Sequence, residues 1–323
     1  MTTKRSRLDV PALLRFERQQ IAAALNLLED RRSDRQEQAL ALLDTLTPSP
    51  ASAHVVGITG PPGVGKSSLI SRLIALAAAA GKRLAVVAVD PSSKVSGGAL
   101  LGDRGRMQAP PQASVYIRSF AARDRLGGLS REAFAAVFLL RHICDVVLVE
   151  TVGVGQSETD IAHIADTVVL VIQPFSGDLL QFIKAGVMEI PDVLAVNKAD
   201  DEALAQKAVA DVKAALSFDQ PTWSRPVLAV SAATNLRLDA LDAAIVAHYN
   251  YLRAHGALER KRAEQTITWA TGEVMHELGR AGLVALGGAA GIRTFWQRQP
   301  ETFSECHRLM ALLNTVRYTV EQE

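Results

Sequence analysis

The sequence G-P-P-G-V-G-K-S at residues 60–67 decides the fold. It fits the pattern G-x-x-x-x-G-K-[ST], in which glycines let backbone N–H groups turn inward around phosphate oxygens. A β-branched run precedes it and an Ala/Leu-rich run follows it, so the loop connects a strand to a helix whose N-terminus favours anions. We predict a nucleotide phosphate-binding loop; the alternative is an ordinary glycine-rich turn. The predicted contacts are Gly60, Pro61, Pro62, Gly63, Val64, Gly65, Lys66, Ser67 and Ser68.

Two side chains of this loop have predicted chemical roles. The ammonium group of Lys66 is expected to reach the β- and γ-phosphates, and the hydroxyl of Ser67 is expected to ligate Mg²⁺.

Short β-branched runs follow one another from residue 55 onward, and helical segments separate most of them. Continuous apolar strands that alternate with helices indicate a parallel sheet covered on both faces. The predicted fold is therefore an α/β P-loop NTPase with a mostly parallel sheet, flanked by N- and C-terminal helical extensions. The predicted strands span residues 55–59, 84–90, 115–118, 145–150, 167–172, 193–197 and 227–231.

The segments on either side of the sheet have a helical period. Residues 11–46 repeat leucine and isoleucine near every 3.6 positions, and a Pro/Ser-rich linker follows at 47–53. Residues 252–283 and 300–318 are also predicted to be helical, with a Gly/Ala-rich break at 287–291 between them. We predict three regions: an N-terminal helical extension (1–50), the nucleotide-binding domain (51–251) and a C-terminal helical extension that forms dimers (252–323).

A second motif, N-K-A-D at residues 197–200, follows the predicted strand at 193–197. A carboxylate at its last position accepts hydrogen bonds from guanine N1–H and the 2-amino group, and adenine offers neither donor. A site with such unpaired polar groups rejects the wrong base strongly. The alternative for so short a motif is a helix cap. The predicted base-recognition residues are Asn197, Lys198, Asp200, Ser231 and Ala232.

Acidic residues stand near the carboxyl ends of further strands, where ligands of parallel sheets bind. Glu150 is expected to hold Mg²⁺ directly or through water, and the Gly153 N–H is expected to sense the γ-phosphate. Asp90 and Asp103 are predicted to face the nucleotide as well. Since Mg²⁺ sites usually use one or two carboxylates, not all three acids can be direct ligands. Gln156 is the nearest candidate for positioning the attacking water.

Composition excludes several classes of protein. Hydrophobic residues make up 48% and charged residues 21%, and 35 basic residues nearly cancel 34 acidic ones. Such a balance does not favour nucleic acid or an anionic membrane as partner. Cys144 and Cys306 have no nearby cysteine partner, and the N-terminus lacks an apolar targeting core. We expect a cytoplasmic protein.

These motifs together resemble the MeaB/ArgK (MMAA-type) family of P-loop GTPases. The likeness runs from about residue 55 to 231 and is carried by D-P-S-S at 90–93, L-G-D at 101–103 and E-T-V-G-V-G-Q-S-E at 150–158. The segment G-D at 177–178 with L-Q at 180–181 and I-K-A-G at 183–186 is similar to the family's third switch.

The resemblance implies a G-protein chaperone of an adenosylcobalamin-dependent acyl-CoA mutase. Such proteins use GTP hydrolysis to gate cofactor loading, protection and reactivation of methylmalonyl-CoA mutase or a relative, such as 2-hydroxyisobutyryl-CoA mutase. They are homodimers, and their hydrolysis is slow until the mutase stimulates it. By the same resemblance, Lys66, Ser67, Asp90, Asp103 and Glu150 surround Mg²⁺ and the phosphates. Gln181 and Lys184 belong to a segment that moves when the mutase binds.

Three other functions stay open at this point. The first is a metallochaperone GTPase for nickel-enzyme assembly, which would need a His/Cys-rich metal store. The second is a kinase for a transport-associated protein. The third is a module that binds nucleotide without turnover.

Overall fold

The predicted β-branched runs form one parallel sheet of seven strands in the computed structural model, which describes residues 8–48, 51–91, 110, 113–122, 130–151, 160–174, 187–216 and 222–320. Every strand pair is parallel, and the order is β3-β2-β4-β1-β5-β6-β7. The predicted fold class is confirmed. The strands are β1 (His54–Thr59), β2 (Leu84–Pro91), β3 (Val115–Ala122), β4 (Val146–Glu150), β5 (Thr167–Ile172), β6 (Val193–Val196) and β7 (Val227–Ala229).

Ten α-helices surround the sheet in the described residues. They are α1 (Val10–Leu14), α2 (Arg18–Glu29), α3 (Ser33–Leu46), α4 (Lys66–Ala79), α5 (Arg131–Ile143), α6 (Glu202–Leu216), α7 (Leu238–Ala254), α8 (Ala257–Ala285), α9 (Gly288–Arg298) and α10 (Glu305–Val320). None of the described helices is both long and apolar enough to cross a membrane.

Alternate residues of the strands face opposite helical layers. Val55 packs in the core shared with α1, α2, α3 and α5, whereas Val56 packs against α4 and α7. This arrangement explains why the strands are apolar along their whole length, because helices cover both faces of the sheet. The carboxyl ends of the strands therefore remain as the edge where a ligand can bind.

The N-terminal helical segment is divided more finely than its periodicity predicts. Asp9 caps α1 through a 3.2 Å hydrogen bond from the Ala12 N–H to Oδ1, and Phe16 has φ +65° between α1 and α2. Asp30 has an extended backbone and ends α2. All three helices pack in the same core as the first sheet face, which compensates for their short lengths.

Two predictions for the C-terminal segment need correction. The predicted Gly/Ala-rich break at 287–291 is mostly helix, because α9 begins at Gly288 and a two-residue turn at 286–287 separates it from α8, with φ +74° at Gly287 and +69° at Gly288. Burial of Ile292 and Trp296, four residues apart, outweighs the weak helix propensity of the glycines. The last helix begins at Glu305 rather than 300, with the Ser304 hydroxyl accepting from the His307 N–H at 3.2 Å.

A buried ion pair attaches α8 to the sheet. The Arg262 guanidinium donates to both carboxylate oxygens of Asp166, at 2.9 and 2.7 Å, and to the carbonyls of Ala51 and Ala53. Asp166 also accepts from the Val55 N–H at 2.9 Å and is 1% exposed. Burial raises the pKa of the Asp166 carboxyl, but the hydrogen bonds and charge of Arg262 outweigh burial and lower it.

Replacing Arg262 by glutamine is expected to lower the free energy of unfolding by about 3–5 kcal/mol, because Asp166 is left as a buried charge without its partner. The contribution of the pair is complete above the ordinary carboxyl pKa and is lost as pH falls through the lowered value of Asp166. Urea denaturation near neutral pH measures the effect. The matched control is Arg293→Gln, since the Arg293–Glu264 pair is 45% and 61% exposed and is expected to contribute little to stability. Equally small losses of unfolding free energy in both variants would contradict the stabilising role of the buried Arg262–Asp166 pair.

Candidate functional site

The loop at residues 60–67 connects β1 to α4 and needs its glycines for two close approaches. Gly60 has φ +142°, and a Cβ there would lie 2.1 Å from the Val171 carbonyl oxygen on β5. Gly65 has φ +93°, and a Cβ there would lie 2.5 Å from Nδ2 of Asn197. Any larger side chain would therefore displace the loop from the neighbouring strand and from the second motif.

Lys66 is the first residue of α4 and is 8% exposed. Its Nζ donates to the carbonyl of Gly60 at 2.8 Å and to that of Pro61 at 3.0 Å. The ammonium group is thus held across the loop, where its charge adds to the positive end of the helix. Pro62 and Ser68 are exposed on the outer side of the loop and of α4.

Ser67, in the first turn of α4, meets Glu150 at the end of β4. The Ser67 hydroxyl donates to Oε1 of Glu150 at 3.0 Å, and Glu150 is 4% exposed. One step further, the hydroxyls of Thr59 and Thr151 are 3.0 Å apart. A carboxylate and a hydroxyl oxygen this close together are the hard oxygen donors that suit Mg²⁺.

Asn197 connects the two predicted motifs. Its Nδ2 donates to the Val64 carbonyl at 2.8 Å, and its Oδ1 accepts from the Ala232 N–H at 3.1 Å. The side chain is 2% exposed. Lys198, with φ +60°, donates from Nζ to the carbonyl of Gly63 at 2.7 Å. The phosphate loop, the N-K-x-D loop and the loop after β7 therefore form one hydrogen-bonded unit.

The carboxylate of Asp200 is held from the loop after β7. The Ser231 hydroxyl donates to Asp200 Oδ1 at 2.7 Å, and the same hydroxyl accepts from the Thr234 N–H at 3.2 Å. Ser231 is fully buried, and its backbone pairs with Leu236. This bonding fixes the orientation of the carboxylate, so it can accept from two adjacent N–H donors of a base.

Arg72 belongs to the site although no motif indicates it. It lies on α4, and its Nε donates to the Ala232 carbonyl at 2.9 Å across 160 positions of sequence. Ala232 is therefore held through its carbonyl by Arg72 and through its N–H by Asn197. An isolated arginine on a helix gives no sequence signal for a contact of this range.

We expect Arg72→Gln to weaken GDP binding about fivefold, since one hydrogen bond that positions the base loop contributes about 1 kcal/mol. Calorimetric titration with GDP and with ADP checks this. A loss of selectivity for GDP over ADP, with an unchanged melting temperature, separates positioning of Ala232 from a general loss of structure. Equal affinity of variant and native protein for GDP would remove Arg72 from the site.

Several predicted residues cannot be placed. Asp103, Gly153, Gln156, Gln181 and Lys184 lie outside the described residues. The backbone of Asp90 lies at the next-to-last position of β2, two positions beyond Ala88, which pairs with Glu150 on β4. Its backbone thus lies at the same edge as Glu150, and its side chain is outside the description.

The described histidines with buried rings belong to internal hydrogen-bond networks. His54 and His248 both bond to the Thr167 hydroxyl, at 2.7 and 2.9 Å, and burial lowers the pKa of His54 to about 3. Within the described part of the chain, no group of three His, Cys, Asp or Glu side chains could hold a metal ion.

A parallel sheet with the G-x-x-x-x-G-K-S loop after β1 and the N-K-x-D loop after β6 defines the class of P-loop nucleotide-binding proteins. The sequence model of the family described as "Methylmalonyl Co-A mutase-associated GTPase MeaB" matches residues 21–284. The chain belongs to this family of GTPases, and the predicted family is confirmed.

Two similar proteins are also named as GTPases. A putative GTPase of Caulobacter vibrioides is 42% identical over 263 residues, which cover 80% of this chain and 81% of that protein. The GTPase ArgK of Escherichia coli is 35% identical over 268 residues, 81% of each chain. The crystal structure of an LAO/AO transport system kinase has a TM-score of 0.70 at 27% identity, and the match covers 95% of this chain and 96% of that one.

Proposed function

We propose that this chain is a GTP-hydrolysing chaperone of an adenosylcobalamin-dependent acyl-CoA mutase. The observation that carries the proposal is the match of residues 21–284 to a family described as methylmalonyl Co-A mutase-associated GTPases. The hydrogen-bonded unit around Asn197 supports it, because it connects a phosphate loop directly to a base-recognition loop.

The nucleotide contacts follow from the positions of the side chains. Lys66 turns from the Gly60 and Pro61 carbonyls to the β- and γ-phosphates, and the backbone N–H groups of residues 63–68 surround the phosphate oxygens. Asp200 accepts from guanine N1–H and the 2-amino group, while Asn197, Lys198, Ser231 and Ala232 hold the base site in place. Adenine lacks this pair of donors, so the site selects guanine.

Ser67 and Glu150 fit a Mg²⁺ ion that accompanies the nucleotide, since their oxygens are close together and hard. The ion supplies charge neutralisation between the β- and γ-phosphates. In this proposal Asp90 and Asp103 also face the nucleotide, one or two of the three acids ligate Mg²⁺ directly, and the Gly153 N–H senses the γ-phosphate.

Hydrolysis proceeds by in-line attack of water on the γ-phosphate. Lys66 and the loop amides neutralise the charge that develops, and Gln156 is the candidate that positions the water. Turnover is slow in the isolated protein, and the mutase completes the site through the segment that holds Gln181 and Lys184. A tenfold stimulation corresponds to only about 1.4 kcal/mol of barrier, so a small shift of one group is sufficient.

The proposed function also includes an oligomeric state, a location and a client protein. The protein is a cytoplasmic homodimer, and the client is methylmalonyl-CoA mutase or a relative such as 2-hydroxyisobutyryl-CoA mutase. Adenosylcobalamin is a cofactor of the client, and the chaperone handles it only through that partner.

The test is phosphate release from GTP by the purified protein, alone and with purified cobalamin-dependent acyl-CoA mutases. We expect slow turnover alone and stimulation of tenfold or more by one mutase. Full-speed turnover alone with no change upon addition of any mutase would overturn the chaperone proposal. Tight GTP binding without phosphate release, even beside a mutase, would instead support a pure binding module.

A transport-associated kinase is the second candidate, favoured by the similarity to the structure of an LAO/AO transport system kinase. The two functions differ in where the γ-phosphate goes. GTP labelled at the γ-position releases free phosphate in the chaperone proposal, whereas stable label on a protein would support the kinase.

A further inference from the structure

A cleft of about 430 Å³ lies where both helical extensions meet α5. Its walls come from the segment after α3 and from α5, α8, α9 and α10, and none of its lining residues belongs to the nucleotide site. Its volume is within the range of small-molecule sites. The cleft is therefore large enough for a ligand of its own.

Arginines dominate the charged lining of the cleft, with two glutamates, Glu259 and Glu305, against them. Glu305 is already neutralised, because it pairs with a guanidinium at 2.8 Å and accepts from the Thr266 hydroxyl at 2.9 Å. The four lining arginines are Arg141, Arg262, Arg293 and Arg308.

Arg308 is the arginine whose charge is least compensated. Arg141 pairs with Glu305, and Arg262 and Arg293 each pair with a carboxylate outside the lining. Arg308 donates from Nη2 to the Pro300 carbonyl at 3.0 Å, and no carboxylate pairs with it in the described residues. A guanidinium in such a position favours an anionic partner.

Two guanidinium nitrogens of the lining also lack acceptors. The Nε atoms of Arg141 and Arg308 are buried and have no hydrogen-bond partner within the part of the chain that is described. Buried donors without acceptors are unfavourable, and since both atoms are shielded from solvent, an entering oxygen reaches them only if the guanidinium groups rotate toward the cleft.

Part of the remaining lining is an apolar and aromatic wall. Phe138, Ile267, Trp296 and Phe303 contribute to it, and the Arg141 guanidinium lies 4.7 Å from the centroid of the Phe138 ring. A site with a few directed polar groups on an apolar wall suits a ligand with one charged end and a flat or apolar body.

The geometry points to a second ligand site, in which Arg308 and Arg141 bind the phosphate or carboxylate of a small organic anion and the aromatic wall contacts its apolar body. A ligand here touches the segment after α3 and helices α5, α8, α9 and α10 together. It stabilises their packing and does not compete with guanine nucleotide.

The test uses the full chain labelled with 5-fluorotryptophan, saturated with GDP so that the phosphate loop is occupied. Phenyl phosphate is the probe, with inorganic phosphate, benzoate and benzyl alcohol in parallel, and fluorine NMR is the readout. We expect phenyl phosphate to shift the Trp296 resonance at millimolar concentration, while Trp223, which is outside the lining, does not shift. Benzoate reports whether a carboxylate replaces the phosphate.

Arg308→Gln is expected to weaken the binding of phenyl phosphate about tenfold or more, since a charge-assisted contact is lost. The matched control is Arg298→Gln, an exposed arginine on the neighbouring helix α9 that does not line the cleft, which should bind as the native protein does. The proposal is overturned by a Trp296 resonance that does not move, by equal binding of benzyl alcohol, or by equal binding of the Arg308 variant. A shift with inorganic phosphate alone would show an adventitious ion only. If the Arg308 variant does not fold, the comparison of phenyl phosphate with benzyl alcohol on the native protein tests whether binding needs the anionic group.

Discussion

Lys66→Ala is expected to weaken GTP binding about 10²- to 10⁴-fold, because two hydrogen bonds from a charged donor to the phosphates are lost. The Lys66 Nζ donates to the Gly60 and Pro61 carbonyls at 2.8 and 3.0 Å, so the ammonium is positioned inside the loop. The effect should depend on the phosphates. Affinity for guanosine, which has none, is expected to stay within about twofold of the native value if the base site is intact.

Calorimetric titration with GTP and guanosine measures both quantities. Lys207→Ala is the matched control, since Lys207 is exposed on α6 and remote from the loop in sequence. The melting temperature serves as the folding control for both variants. If Lys66→Ala lowered guanosine and GTP affinity equally, the phosphate role of Lys66 would be wrong and a collapsed loop would be the explanation.

Asp200→Asn is expected to weaken GTP binding by a similar factor, about 10²- to 10⁴-fold, because two bonds from guanine to a charged acceptor are lost. The Ser231 hydroxyl donates to Oδ1 at 2.7 Å, and an asparagine can keep this bond while an amide N–H₂ replaces the other oxygen. That amide repels the 2-amino group of guanine but donates to the C2 oxygen of xanthine. The variant should therefore bind XTP better than GTP.

The control for this substitution is the neighbouring carboxylate. Asp201 accepts from the Leu204 N–H at 3.1 Å and caps the start of α6, a role that asparagine fills equally well. Asp201→Asn should therefore leave nucleotide affinity and base preference unchanged. An Asp200 variant that keeps native GTP affinity, or gains nothing for XTP, would show that another group recognises the base.

The two variants also test each other. Lys66→Ala should affect only ligands with phosphates, whereas Asp200→Asn should affect guanosine and GTP alike. The Asn197 side chain connects the two loops, so some coupling between the sites is expected in the double variant.

Local pattern was sufficient to predict the sheet. The strands are apolar on both faces, and their alternation with helices allows few arrangements, so the seven runs, their parallel direction and the phosphate loop after β1 could be predicted. Strand ends differ from the prediction: β3 runs to Ala122 rather than 118, and β7 ends at Ala229 rather than 231. Pairing with a neighbouring strand, which the local sequence does not contain, sets those ends.

The glycines at 287–291 show where local pattern failed. Glycine lowers helix propensity by about 1 kcal/mol per residue, and on that basis a break was predicted. The structure instead begins α9 at Gly288, since Ile292 and Trp296 are buried against α10. Tertiary packing outweighed propensity there.

The sequence by itself determined the two nucleotide motifs, the acids at the strand ends and the family, because these depend on residue types at fixed short spacings. Only the tertiary structure decided that Asn197 connects Val64 to Ala232, that Arg72 holds the loop after β7, and that Arg262 fixes α8 to Asp166. Three of these contacts join residues 96 to 160 positions apart: Asn197 with Val64, Arg72 with Ala232, and Arg262 with Asp166. The contact of Asn197 with Ala232 spans 35 positions. A single sequence contains the side chains that make such contacts but not the chain reversals that bring their partners within hydrogen-bonding distance.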